Sequence, residues 1–212
     1  MNVKVVRKHP VSLRWNHWIN FPLMCIMIWS GLMISWSSEA YFIKADWLEK
    51  LGLGSRLGIG LSWHLNFAFL FLINGVVYTL FLLISGHWRY LTPGTIGEMT
   101  QVVLHDLKIR KQPLPERPKY NAAQSATYLA VLLMGIGIVL TGFAIYKPVQ
   151  FNWLTALCGG YQAARLEHFL IMILFVGFFV IHILQVIRAG WPNFQSMISG
   201  LERKEEIHRE KS

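Results

Sequence analysis

Apolar residues gather along this chain into four blocks, at about 15–36, 61–85, 123–146 and 166–187, separated by stretches that carry most of the charge. At 1.5 Å of rise per residue, each block is long enough as a helix to cross about 30 Å of hydrocarbon, and none is long enough to cross twice. The pattern predicts an all-α integral membrane protein: a four-transmembrane-helix bundle in which residues 1–212 form a single membrane domain. Between the second and third blocks, Ile96, Met99, Val103 and Leu107 recur at helical spacing, which predicts an amphipathic helix on the membrane surface. Pro113, Pro115 and Pro118 then make a stiff connector. Residues 41–51 fit a short surface helix. Gly52, Gly54, Gly58 and Gly60 loosen the chain before the second span, and Gly159 and Gly160 turn it into the fourth. No internal repeat is read.

Composition agrees with this picture, with 54% hydrophobic residues and a mean hydropathy of +0.40. The net charge of +9 raises the question of nucleic acid, but its distribution answers otherwise. With a cytoplasmic N-terminus, 15 of the 20 lysines and arginines fall inside and 5 outside. That bias follows the positive-inside rule and places both termini in the cytoplasm of a bacterial inner-membrane protein, its basic loops against anionic lipid. Trp15 and Trp18 are placed as an interfacial belt. Cys25 and Cys158 make no disulfide framework and there is no C-x-x-C-H, so any haem would be non-covalent. The first block is not read as a cleaved signal peptide.

Ionisable groups inside a membrane helix are functional candidates by default. The fourth block carries His168 and His182. Fourteen residues of helix separate them by about 21 Å along the axis and only about 40° around it, too far apart to share one metal. Each therefore needs a partner from elsewhere. Distance from the flanking charges gives depth: His17 and His182 belong near the cytoplasmic surface, His64 and His168 near the outer one. Two bis-histidine sets without cysteine or carboxylate ligands suit low-spin haem better than zinc or copper. Arg14, Arg165 and Arg188 are near enough to offer charge to propionates, and Glu167, Asn16, Asn20 or Asn66 to orient ligands. Gly135, Gly137 and Gly142 in the third span allow close helix packing, and would equally let a flat macrocycle approach. His87 has no partner at its depth, and His9, His105 and His208 lie in solvated tails or loops.

Several segments together carry a family resemblance: His9-Pro10, Arg14-Trp-Asn-His17-Trp-Ile-Asn, Ser30-Gly31-Leu32, Ser85-Gly86-His87-Trp88-Arg89, Tyr120-Asn121, Leu140-Thr141-Gly142, Gly159-Gly160, Arg165-Leu-Glu-His168-Phe and His182. In this order they resemble the four-span dihaem cytochrome b anchors of bacterial respiratory oxidoreductases, of the b561-like superfamily. That group includes formate dehydrogenase gamma and Ni/Fe-hydrogenase cytochrome b subunits, and the chain is especially similar to the thiosulfate reductase branch.

The resemblance implies two non-covalent haem b groups, the inner held by His17 and His182 and the outer by His64 and His168. It implies electron exchange between membrane quinone and a periplasmic partner, often a molybdopterin enzyme. In the formate dehydrogenase relatives the quinone lies by the inner haem, so Asn20, Gln185 and His87 are the local candidates. A homodimer stays open. Two rivals remain: a stand-alone superoxide oxidase of the same fold that reduces quinone, and a haem-free transport or scaffold subunit.

Overall fold

The structure is a computed structural model that describes residues 3–37, 57–110, 114, 117 and 119–205. The chain runs β1 (Val3–Arg7), α1 (Val11–Ser37), α2 (Leu57–Ile84), a 3-10 turn (His87–Leu91), α3 (Ile96–Asp106) and α4 (Ala122–Tyr146). After these come α5 (Asn152–Leu157), α6 (Tyr161–Ala189), α7 (Trp191–Ser199) and β2 (Leu201–Glu205). The helix expected at 41–51 lies outside the described residues.

Helices α1, α2, α4 and α6 are each long and apolar enough to cross a membrane. Their surfaces agree: Ile73, Val76, Leu80 and Ile84 of α2 are all exposed. So many outward apolar side chains on one helix belong in lipid rather than water. The protein is thus an all-α integral membrane protein. Three spans begin four or five residues before their apolar blocks, at Val11, Leu57 and Tyr161. Helical pairing continues because backbone groups near the membrane still need internal partners.

The chain divides into two compact units, Met1–Tyr78 with Phe178–Ser212, and Thr79–Gly177. In the first, α2 approaches α1 at Gly60. A Cβ there would lie 2.9 Å from the Met33 Cβ and 3.2 Å from the Ser30 carbonyl oxygen, so only glycine permits the crossing. Further along, the Asn74 amide donates to the Asn20 Oδ1 (3.3 Å) and the Asn16 carbonyl (3.4 Å), polar ties between the same two helices. Gly60, expected to loosen the chain, is instead a packing contact within α2.

Within the basic tails, for which no strand was expected, β1 pairs antiparallel with β2, from Val3 opposite Glu205 to Arg7 opposite Leu201. Lys8 fastens the ribbon, its Nζ 2.7 Å from Glu202 and 3.0 Å from the Asn193 Oδ1. Residues 3–7 and 201–205, on either side of the four apolar helices in sequence, therefore lie side by side.

In the second unit, α3 and α4 each open on a capping box, Thr95 with Glu98 and Asn121 with Gln124. These reciprocal bonds satisfy amides that the first helical turn leaves without partners. Val102 is buried, while Ile96, Val103 and Leu107 are exposed, giving α3 the outward apolar stripe expected of a surface helix. Ala144 of α4, Leu154 of α5 and Ala164 of α6 form one buried cluster, and the Thr155 hydroxyl of α5 donates to the Ala144 carbonyl at 3.0 Å.

Candidate functional site

His17 on α1 and His182 on α6 face one another, with ring centroids 6.0 Å apart and planes at 66°. Iron–nitrogen bonds are about 2 Å and the ring centre lies about 1 Å beyond each nitrogen, so axial imidazoles on one iron stand about 6 Å apart. The pair fits that requirement. Phe178 stacks on His182 at 5.7 Å, and the Trp18 ring meets His17 edge-on at 5.3 Å. Aromatic neighbours restrict both rings.

His64 and His168 share a different device. The Ser30 hydroxyl, fully buried, donates its proton to the Ile26 carbonyl at 2.7 Å and lies 3.0 Å from the His64 Nδ1. A hydroxyl has one proton, so towards the imidazole it acts as acceptor and the ring proton sits on Nδ1. That leaves the Nε2 lone pair available for a metal, the outer-shell arrangement expected of an axial histidine. Thr141 does the same for His168: it donates to the Gly137 carbonyl at 2.7 Å and stands 3.0 Å from the His168 Nδ1.

Each hydroxyl is followed by a glycine against the same ring. A Cβ on Gly31 would lie 3.4 Å from the His64 Cε1, and one on Gly142 would lie 3.4 Å from the His168 Cε1. The hydroxyl–glycine pair thus recurs as a repeated element in two helices, a regularity absent from the sequence reading. Its signal was there, in Ser30-Gly31 and Thr141-Gly142. Missing was the knowledge that each faces a histidine. Of the other third-span glycines, Gly137 packs on Ile171 and Gly135 meets open space.

The suggested orienting groups do other work. Asn66 donates to the Ser62 carbonyl of its own helix at 2.8 Å, and Asn16 to the Ser12 carbonyl at 3.0 Å, its Oδ1 buried and without a partner among the described residues. Glu167 accepts from the Cys158 thiol, whose pKa is pushed up by burial and by that carboxylate. Both cysteines are free. Trp18 is drawn off the expected belt, donating through Nε1 to the Met197 carbonyl at 3.2 Å, while Trp15 remains exposed.

Among the arginines, Arg14 donates to the Ile198 carbonyl at the end of α7, and its Nε is buried without a partner among the described residues. Arg165 reaches Gln162 at 3.3 Å and covers the Tyr161 ring. Arg188 and Gln185 are exposed. Asn20 is engaged by Asn74, and the His87 Nε2 lies 2.8 Å from the Lys119 Nζ. Among the described residues, no three His, Cys, Asp or Glu side chains converge on one point.

Four helices long and apolar enough to cross a membrane, with histidines set within them, point to a class, the multi-pass membrane cytochromes b. More narrowly, the chain belongs to the prokaryotic cytochrome b561 family, whose model matches residues 8–200. It is 34% identical over 189 residues to an Azospira oryzae protein named "Putative protein-methionine-sulfoxide reductase subunit YedZ1", a match covering 88% of this chain and 93% of that one. It is accordingly a membrane cytochrome b subunit of electron transfer, with haem b binding implied by the family.

Proposed function

We propose that the protein is a dihaem cytochrome b that moves electrons between the membrane quinone pool and a periplasmic oxidoreductase. The observation that carries this is the placement of the His17 and His182 rings with centroids 6.0 Å apart, a separation that suits two axial ligands of one iron. His64 and His168 form the second ligand pair, supported by the identical way in which Ser30 and Thr141 set their tautomers. Bound haem b would supply one-electron redox chemistry at two depths of the membrane.

The chain's own part is to present four Nε2 lone pairs, exclude water from the rings and orient the quinone. Asn20 and Gln185 are assigned to the quinone, near the inner ligands in sequence. Arg14, Arg165 and Arg188 are the cations nearest the ligands, for propionate contact. Both termini lie in the cytoplasm, on the positive-inside distribution of charge. The sulfoxide reductase named in the Azospira relative supports an oxidoreductase partner, and we place a molybdopterin enzyme in that role.

The test is reduction of the purified cytochrome by a water-soluble quinol, followed in the visible spectrum. Quinol should reduce it, and Asn20→Leu with Gln185→Leu should slow reduction about tenfold at unchanged haem content, as loss of about 1.4 kcal/mol of quinone binding would. Superoxide reducing the haem while quinol does not would contradict the proposal and favour a stand-alone oxidase.

A further inference from the structure

Where α2 ends and α4 begins, the second unit holds a cleft of 430 Å³ lined by His87, Arg89, Arg117, Lys119 and the hydroxyl residues Tyr90 and Tyr120, among others. Among the described residues, no carboxylate lines it. The walls are fixed. Gly86, at φ 69°, turns the chain out of α2, and the buried Ser125 hydroxyl of α4 donates to the Tyr90 carbonyl at 3.0 Å. Arg117 donates to the Thr92 carbonyl at 3.3 Å, its other nitrogen 4.0 Å from Glu98.

Lys119 is held between two rings, its Nζ 5.3 Å from the Tyr90 centroid and 5.5 Å from that of Tyr120. An ammonium only donates, so at 2.8 Å from Lys119 the His87 Nε2 is the acceptor and the ring proton sits on Nδ1. That Nδ1 is buried and has no hydrogen-bond partner among the described residues. The cleft therefore combines clustered cations with a buried donor that lacks an acceptor, and both features call for an anion.

We propose that this cleft binds a phosphate group, contributed by the headgroup of an anionic phospholipid or by free phosphate. Arg89 and Lys119 supply the charge, and the His87 Nδ1–H is completed by a phosphate oxygen. Partial desolvation already holds the Lys119 ammonium below the ordinary lysine range, a cost that an anion would relieve. The lipid source is favoured by position: the site lies at the ends of two membrane helices, and α3 of the same unit carries exposed Ile96, Val103 and Leu107.

The experiment is calorimetric titration of the detergent-purified, haem-loaded protein with short-chain phosphatidylglycerol, short-chain phosphatidylcholine and inorganic phosphate. Native mass spectrometry would count lipid retained through purification. Phosphatidylglycerol should bind and be retained, and Arg89→Gln with Lys119→Gln should weaken it about thirtyfold at two cationic contacts. Lys119→Arg and the control Lys147→Gln, at the other end of α4, should keep the affinity. Displacement of the lipid by millimolar phosphate would assign the site to free phosphate, and failure to displace would assign it to the headgroup. Phosphatidylglycerol and phosphate both failing on the wild type, or binding the double variant as tightly as the wild type, would overturn the proposal.

Discussion

Ser30 and Thr141 show how little a membrane helix needs in order to orient an imidazole. Each hydroxyl satisfies its own helix by donating to a carbonyl one turn back, and its remaining lone pairs face a histidine Nδ1 at 3.0 Å. Ser30→Ala and Thr141→Val remove the acceptor while preserving helix and size. Each should weaken haem affinity about 10–100-fold, measured by haem retention during dilution in detergent. The glycine beside each hydroxyl allows a graded check. Gly142→Ala should retain haem, because its Cβ makes ordinary contact at 3.4 Å, whereas Gly142→Val should displace His168 and lose one haem. The four histidines stand out in the sequence because charge and depth in a membrane are tied together. Their hydroxyl partners do not, because a serine or threonine that bonds its own backbone gives no sequence sign of facing another helix.

Helix crossings carry these side chains into register, and here Gly60 matters most. With Ser30 on one helix and His64 one turn beyond Gly60 on the other, the contact that lets the backbones approach also brings imidazole to hydroxyl. Gly60→Ala would push a methyl group to within 2.9 Å of Met33. It should cost about 1–3 kcal/mol, seen as a lower thermal midpoint in detergent, and should disturb the His64 haem before that of His17 and His182. The four spans were visible as apolar blocks and α3 as a periodic stripe, but both the ribbon of β1 with β2 and the short helices α5 and α7 escaped. Two five-residue strands 193 or more residues apart pair through backbone groups, which leave no pattern of side chains to read.

Taken together, the chain is a membrane protein whose two ends are joined side by side, with four spans between them. An even number of crossings and a paired ribbon both fit termini on one side of the membrane, and we place that side in the cytoplasm on the positive-inside distribution of charge. Green fluorescent protein fused to either end should fluoresce, and a cysteine placed at Trp153 in α5 should react with an impermeant reagent added from outside. The opposite labelling pattern would invert the assignment and move the His17 and His182 pair to the outer face.

The most direct test of the account is the reduced-minus-oxidised visible spectrum with haem quantitation on the purified protein, on His17→Ala and on His168→Ala. Two b haems per chain, with each variant losing a different one, are expected. A well-folded protein without haem, or two variants that lose the same haem, would contradict the assignment of four histidines to two irons.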